Sequence, residues 1–300
     1  EKKYDESYWF NQVIEKYNTD SYVSNINTEN ILDELNDSIK IFDEPYSDPS
    51  TLPSYMISKE ISKKYKVAIS GDGGDELLGG YVRMAKILSR NSKFSYDKLI
   101  KLYPAMFGTG NILLSNSKDL KTAYSSFLSD KKFIRMLNLE DSFNLEDNFY
   151  KDMESPYKSI FITDYLFYLS EMMMLKVDRT SMANSLEVRS PFVDHRLIEY
   201  VVSCDSSHYA TDKPKKFLKD YLSDDFNEDF LNRRKMGFVF ELEGWIYGNE
   251  KLIKNTIFNN HLNNYINLNK AHQLFYFKSR INALRLWRIY VLEKFLSSID

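Results

Sequence analysis

A glycine-rich bend that carries three carboxylates constrains this chain of 300 residues more than any other stretch. It lies within Lys66–Tyr81, which has the sequence K-V-A-I-S-G-D-G-G-D-E-L-L-G-G-Y. The apolar run Val67–Ile69 is short and β-branched, which predicts a buried strand. Glu76–Leu78 has the composition of a helix start, and glycines permit backbone conformations that other residues avoid. The stretch therefore predicts a strand, a tight bend and a helix, an arrangement that cradles phosphates in open α/β sheets.

The spacing of the bend excludes two common phosphate-binding loops. A dinucleotide-binding fingerprint would need a glycine where Glu76 stands, and a Walker loop would need a lysine where Gly80 stands. Acids beside bare phosphate oxygens would repel them. Asp72, Asp75 and Glu76 are consistent with Mg²⁺ bridging acid and phosphate, or with an acid facing a cationic or nucleophilic substrate group. They are also consistent with a tight turn in which an Asp caps the helix.

The composition narrows the class of protein. The net charge is −3 with acids and bases interspersed, so there is no electrostatic case for a nucleic-acid partner. The single cysteine, Cys204, rules out an internal disulfide framework and fits a reducing cytoplasm. Ile160–Val177, the most apolar long stretch, is interrupted by Asp164, Glu171 and Lys176, so no membrane span is expected. The four histidines lack the spacing of zinc ligands.

Hydrophobic periodicity predicts the order of the elements in the first part of the chain. Residues 1–18, Thr28–Phe42 and Ser54–Tyr65 have apolar positions at helical spacing, and Ser21–Ile26 alternates as a strand does. Helices that alternate with strands are typical of a parallel sheet with crossover helices.

The strand signals fade after Arg83, and helices dominate the rest of the chain. Leu88–Leu114 and Leu120–Leu139 predict short surface helices, and a mostly buried helix is expected from Ser159 onward. We therefore predict an α/β fold: a partial parallel sheet in residues 1–110, and a large, mostly helical portion in residues 111–300 that completes the same cleft.

Two further stretches concentrate charge. Lys176–His195 reads K-V-D-R-T-S-M-A-N-S-L-E-V-R-S-P-F-V-D-H and places five charges among core-like residues, where charges must be paired. An internal salt-bridge network would account for Glu187, Arg189 and Asp194, whereas Arg179 is freer to face a ligand. Asp212–Lys219 clusters four lysines at a proline turn that opens a helix. Without other information, such a run indicates a solvated face.

These stretches together resemble the glutamine-dependent asparagine synthetases. S-G-D-G-G-D-E-L-L-G-G-Y is similar to the second nucleotide-site loop of that family, and the stretch after Lys176 follows its D-x-x-S-M-x-x-S-x-E-x-R-x-P-F-x-D pattern. R-R-K-M-G-F-V-F-E-L-E-G-W resembles the R-K-K-x-G-F-x-x-P-x-x-x-W pattern, with Phe240 in place of the proline. The family has a lysine over the reacting phosphate in the proline turn. Lys216 is the best match, although Lys219 stands where the family usually has arginine.

The resemblance implies a fold of the adenine-nucleotide α-hydrolase-like (pyrophosphatase-loop) type, with ATP and Mg²⁺ as cofactors. ATP would activate a substrate carboxylate, aspartate first among candidates, as an acyl-adenylate, and ammonia derived from glutamine would then form the amide. In this scheme Asp75 holds Mg²⁺ and Lys216 stabilises charge on the α-phosphate. Asp72 approaches the acyl-adenylate or the ammonia, and Arg179 faces the ligand. The adenylate contacts the backbone of the bend at Ser70, Gly71 and Gly73.

Two parts of the family pattern do not occur in this sequence. Relatives carry an N-terminal glutaminase with a cysteine at residue one, and a first pyrophosphate loop with the sequence S-G-G-x-D-S. The resemblance implies that the chain begins just beyond that loop and is a synthetase fragment, inactive by itself, of a protein that could form a homodimer. Alternatives are the same scaffold acting on another substrate (sugar-acid amidation, β-lactam or peptide cyclisation) and a degenerate, non-catalytic domain.

Overall fold

The structure is a computed structural model in which the chain is mostly helical. It describes residues 5–23, 31–88, 103–140, 156–205, 214–233, 237, 240–258 and 261–299. Within these ranges the strands form a two-stranded parallel sheet. The helices of the described ranges are all too short or too polar to cross a membrane.

The chain up to residue 140 contains the helices that were predicted for its start. Its elements are α1 (Ser7–Tyr17), α2 (Ile31–Lys40), α3 (Thr51–Ser62), β1 (Val67–Ile69), α4 (Gly74–Leu77), α5 (Val82–Leu88), α6 (Asn111–Leu114), α7 (Leu120–Leu128) and α8 (Lys131–Met136). Residues 21–23 of the predicted strand Ser21–Ile26 form neither helix nor strand, and its other residues lie outside the described ranges. The prediction of surface helices is wrong for α7, none of whose residues is exposed, whereas α6 and α8 keep exposed side chains such as Ile112 and Arg135. Residues 89–102 of the predicted stretch Leu88–Leu114 lie outside the described ranges.

The chain from residue 156 onward contains the long helix expected from Ser159. Its elements are α9 (Pro156–Thr163), a π-helix (Asp164–Met174), α10 (Leu175–Met182), β2 (Glu187–Arg189), α11 (His195–Ser203), α12 (Lys216–Tyr221), α13 (Glu228–Leu231), α14 (Leu242–Gly248), α15 (Glu250–Ile257), α16 (Gln273–Tyr276) and α17 (Arg280–Ile299). The first three of these follow one another without a break and form the long helix. Its central turns are of the wide π type, which is often found at functional sites.

The sheet confirms the predicted strand but not its burial. β1 pairs in parallel with β2, with Val67 opposite Glu187 and Ile69 opposite Arg189. The side chains of Val67 and Ile69 are nevertheless 45% and 78% exposed, whereas parallel strands are usually covered on both faces. The chain is therefore α/β in the coarse sense, and the prediction that β1 is buried is wrong for the residues that the structure describes.

The exposure of β1 predicts that its side chains contribute little to stability. Replacing Ile69 by Ala should lower the free energy of unfolding by less than about 1 kcal/mol. The side chain of Ile69 is already largely exposed, so its truncation removes little buried apolar surface. Ile87 is fully buried, so Ile87→Ala should cost about 2–5 kcal/mol. Urea denaturation of the two variants measures the difference. Equal losses would show that another surface covers β1 in solution.

Two buried apolar clusters hold the helices together. One surrounds Trp287 on α17 and includes Leu35 from α2 and Ile253 from α15. The other contains Leu77, directly behind the bend, and Phe161 from α9. Each cluster contains residues from both sides of position 110, as expected if the two parts belong to one domain. The division at residue 110 itself stays a prediction.

Candidate functional site

Part of the glycine bend has a backbone conformation that residues other than glycine rarely adopt. Gly73 has φ of 84°, in the left-handed region, and a Cβ at this position would lie 2.8 Å from Cγ1 of Val193. Glycine is therefore required here both by the backbone and by the close approach of a neighbour. A Cβ on Gly71, by contrast, would have no atom within 4 Å. Gly71 and its half-exposed neighbours Ser70 and Asp72 thus line the open side of the bend.

The stretch after β2 holds the bend in place. The backbone N–H of Ser70 donates to the carbonyl of Arg189 at 2.9 Å, and the hydroxyl of Ser190 donates to the carbonyl of Asp72. The ring of Phe192 would lie 3.2 Å from a Cβ on Gly74. Two sequence motifs that are distant along the chain are thus parts of one structure.

The lysine turn reaches the bend through Lys215. Its ammonium nitrogen lies 2.9 Å from Oδ1 of Asp75, and both side chains are partly exposed. Lys215 has φ of 56°, an uncommon conformation for a residue other than glycine, at the start of α12. The pair passes directly over Gly80, where a Cβ would lie 1.8 Å from Oδ1 of Asp75 and 2.6 Å from Cε of Lys215.

Lys216 points elsewhere. Its ammonium pairs with Asp220 of the same helix, and its side chain lines a cavity of about 430 Å³ behind the bend. Leu77 and Phe192 line the same cavity, as does the half-buried thiol of Cys204. The structure therefore brings a lysine of the predicted turn to the bend, but it is the neighbour of the lysine that the sequence favoured.

Arg179 lies on α10 and pairs with Asp43, in the proline-containing loop before α3. One turn earlier, Lys176 is buried, and its ammonium donates to Ser50 at 2.8 Å and lies 3.3 Å from Asp48. α10 thus presents two basic residues to the acidic loop. The sequence analysis named only Arg179. The regular i, i+3 spacing of the two bases on one helix could have revealed Lys176 as well.

The predicted internal salt-bridge network is not internal. Arg189 pairs with Glu187 at 2.7 Å, but both side chains are more than half exposed on the sheet. Asp194 caps α11 instead, where it accepts a hydrogen bond from the backbone N–H of Arg196 and pairs with its guanidinium. These hydrogen bonds lower the pKa of Asp194. The two pairs are separate because Glu187 and Arg189 lie on the same face of β2, whereas Asp194 lies beyond the strand at the start of α11.

A buried carboxylate stands behind the bend. Glu76 is 2% exposed and accepts a hydrogen bond from the hydroxyl of Tyr81. Burial raises the pKa of Glu76 above its ordinary value of 4.5, the Tyr81 hydrogen bond partly offsets this, and the nearby carboxylates of Asp75 and Asp164 raise it further. The charged form of Glu76 therefore costs stability in the folded state.

Glu76→Gln tests this cost through its pH dependence. Below about pH 4 the glutamic acid is protonated both folded and unfolded, so the variant and the parent should differ little. As the pH rises through the elevated folded pKa, the parent loses stability that the neutral amide keeps. We expect the variant to be the more stable protein at pH 7 to 8, in urea denaturation curves recorded across the pH range. A stability difference that does not change with pH would contradict the raised pKa.

The third predicted motif, Arg233–Trp245, is only partly described, because residues 234–236, 238 and 239 lie outside the described ranges. Phe240, which replaces the family's proline, packs edge-on against Trp245 and Trp287, with ring centroids 6.1 and 5.6 Å away. This end of the motif is part of the core around α17.

The residues present are compatible with a shared rather than a protein-enclosed metal site. Within the described ranges, no three His, Cys, Asp or Glu side chains come together in a way that could hold a metal ion. Mg²⁺ commonly takes one or two carboxylates and completes its shell with water and phosphate oxygens. The half-buried carboxylate of Asp75, at the edge of the open bend, suits such a site.

Comparisons with known proteins match nearly the whole chain to one family. The family model described as asparagine synthase matches residues 1–297. The chain is 27% identical over 239 residues to asparagine synthetase (glutamine-hydrolyzing) 1 of Bacillus subtilis (strain 168), covering 74% of the chain and 38% of that relative. It is 24% identical over 246 residues to a putative asparagine synthetase (glutamine-hydrolyzing) of Mycobacterium bovis, covering 76% and 38%. It thus spans well under half the length of these relatives. The chain belongs to the asparagine synthase family.

Proposed function

We propose that this chain is the synthetase part of an ATP-dependent amidotransferase that activates a carboxylate, aspartate first among candidates, as an acyl-adenylate. The carboxylate would attack the α-phosphate of ATP with release of pyrophosphate, and ammonia would then attack the activated carbonyl to give an amide with release of AMP. The observation that carries the proposal is the 2.9 Å contact between Asp75 and Lys215, which joins the acidic bend to the lysine turn. An acid and a lysine at one glycine bend suit a magnesium-bound polyphosphate, whose charge both can balance.

We assign the phosphate-facing lysine to Lys215. Lys216 is turned toward Asp220 and the apolar cavity, so its ammonium is directed away from Asp75. A lysine held by the bend could exchange its contact with Asp75 for one with the α-phosphate as negative charge develops there. Asp75 would then bind Mg²⁺ in place of the ammonium, and Mg²⁺ would supply charge neutralisation to the polyphosphate when bound.

The backbone of the bend would bind the nucleotide. Gly71 leaves open a space that a side chain would enter, and this gives a ligand access to the backbone at Ser70 and Gly71. Gly73 is buried against Val193, so its contact with the nucleotide is proposed from the family resemblance alone. Asp72, on the same open side, would approach the acyl-adenylate or the incoming ammonia. Arg179 and its neighbour Lys176 are cationic groups on α10 that could face an anionic substrate, and Arg179 is the more accessible of the two.

The activity is proposed for a longer protein. The relatives are named as glutamine-hydrolysing enzymes, and the chain spans about 38% of their length. We propose that the gene product also contains a glutaminase domain that supplies ammonia and a first pyrophosphate loop, and that the full protein is a homodimer. The exposed strand β1 supports a larger sheet of the adenine-nucleotide α-hydrolase-like type, since parallel strands are normally covered.

Carboxylate-dependent exchange between ATP and labelled pyrophosphate tests the proposal. The intact gene product is incubated with Mg²⁺, ATP, labelled pyrophosphate and one acid at a time: aspartate, glutamate, a sugar acid, a β-amino acid or a peptide acid. We expect exchange with aspartate. Exchange with another acid alone would keep the adenylation and change the substrate. No exchange with any acid, in protein that is folded, would favour the non-catalytic alternative.

The present chain by itself should bind Mg²⁺–ATP weakly and form no amide, because half of the proposed phosphate site would be missing. Calorimetry on the chain measures this directly. Tight, Mg²⁺-dependent binding would show that the described bend and lysine turn suffice for the nucleotide.

A further inference from the structure

A largely buried arginine, whose side chain is 13% exposed, lies behind the acidic bend and has no place in the proposed chemistry. Arg83, at the start of α5, donates from its Nη2 atom to both carboxylate oxygens of Asp164, at 2.9 and 2.8 Å. Asp164 is fully buried at the start of the π-helix and also accepts a hydrogen bond from the hydroxyl of Tyr124. Such a pair is costly to bury, so it is weak support for stability and invites another explanation.

The arginine is connected to the bend by aromatic rings. Its guanidinium lies 3.8 Å from the ring centroid of Tyr81 and 4.2 Å from that of Tyr168, and the two rings meet edge to face. The hydroxyl of Tyr81 donates to Glu76, the residue that follows Asp75 in the bend. A continuous set of contacts therefore runs from the π-helix through Arg83 and Tyr81 to the bend.

The far end of this set of contacts leads to the basic residues of the site. The π-helix continues directly into α10, which carries Lys176 and Arg179. Its backbone is also tied to the acidic loop before α3, because the hydroxyl of Tyr46 donates to the carbonyl of Met172 at 2.6 Å. Arg83 thus stands between the acidic bend and the helix whose next segment carries the basic residues.

We propose that Arg83 is a positioning residue: its ion pair with Asp164 and its stacking on Tyr81 hold the acidic bend where Asp75 meets Lys215. The catalytic consequence rests on the proposed function, whereas the positional claim does not. A displacement of about 1 Å from the productive geometry can cost on the order of 100-fold in rate. A residue that fixes the bend would therefore affect catalysis without touching a substrate.

A charge-neutral double variant separates positioning from stability. Arg83→Met with Asp164→Asn removes both charges together, so no unpaired charge is left buried. The chain offers a matched control in Arg285, which is buried and pairs with Asp130 at 2.8 and 3.1 Å in the other apolar cluster. Arg285→Met with Asp130→Asn should cost similar or greater stability but leave the bend alone. Circular dichroism and thermal denaturation check that each variant folds.

Competitive acetylation of lysines, carried out on the 300-residue chain, reports whether the bend still meets Lys215. The contact with Asp75 shields the ammonium of Lys215 from the reagent, and Lys216, whose partner Asp220 lies on the same helix, serves as the internal reference. We expect the ratio of Lys215 to Lys216 labelling to rise at least threefold in the Arg83 double variant and to stay constant in the Arg285 control. An unchanged ratio in the folded Arg83 variant would overturn the proposal.

A second variant keeps the test decisive if the double variant does not fold. Tyr81→Phe retains the ring over which Arg83 stacks and removes only the hydroxyl that holds Glu76. The labelling ratio should rise in the same direction, by about twofold. A ratio equal to that of the parent would then reject the connection between Arg83 and the bend.

Exchange kinetics of the intact gene product test the consequence for catalysis. In the Arg83 double variant we expect kcat to fall at least tenfold while KM for ATP stays within about threefold, and the Arg285 control should keep both. A parent protein without exchange activity would remove the proposed function, and the labelling ratio would still decide the positional claim. An active parent with an equally active Arg83 variant would overturn the catalytic part of the inference.

Discussion

Replacing Lys215 by Met should lower the rate of ATP–pyrophosphate exchange by about 10²- to 10³-fold, the usual effect of removing one charged donor from a developing oxyanion. Methionine keeps an apolar stem that reaches as far as Cε and lacks the ammonium that lies 2.9 Å from Asp75. The fold should persist, because the pair is partly exposed and such pairs contribute about 1 kcal/mol or less. Exchange is measured on the intact gene product at saturating ATP.

The adjacent lysine is the control for this experiment. Lys216→Met makes the same chemical change one position further along the turn, where the side chain lines the apolar cavity and pairs with Asp220. We expect exchange within about threefold of the parent. If Lys216→Met abolished exchange and Lys215→Met did not, the original sequence-based assignment would stand and ours would fall.

Gly80→Ala should lower exchange by about 100-fold while leaving the fold intact. The added methyl carbon would lie 1.8 Å from Oδ1 of Asp75 and 2.6 Å from Cε of Lys215, far inside contact distance, so the ion pair must move. The atoms that must yield are the ends of two flexible side chains rather than backbone. The φ angle of Gly80 is not positive, so alanine adds no backbone strain. Displacing both charged groups at once would disturb the geometry on which catalysis depends.

Gly248→Ala is the matched control, because a Cβ at that position would have no atom within 4 Å. Both variants should unfold within about 1 kcal/mol of the parent in urea. A Gly80→Ala protein with normal exchange would show that the Asp75–Lys215 contact is not needed for the reaction. A Gly80→Ala protein that fails to fold would show that Gly80 serves stability instead.

The sequence by itself predicted the local features of the site. The run Val67–Ile69 became a strand because β-branched residues favour one, and Gly73 provides the positive φ that the bend requires. The helical stripes of α1, α2 and α3 were also visible, since periodicity depends only on residues that are close along the chain. The motifs themselves were sufficient to suggest the family.

The tertiary structure decided which side chains meet. Four of the eight residues in Asp212–Lys219 are lysines, and nothing in their order shows which ammonium faces Asp75. In the structure it is that of Lys215, whose backbone has a left-handed conformation. Arg83 and Asp164 pair across a long sequence separation, which no local pattern encodes. The burial of β1 was predicted wrongly for the same reason: the pattern of a strand reports its conformation, whereas its exposure depends on what packs against it.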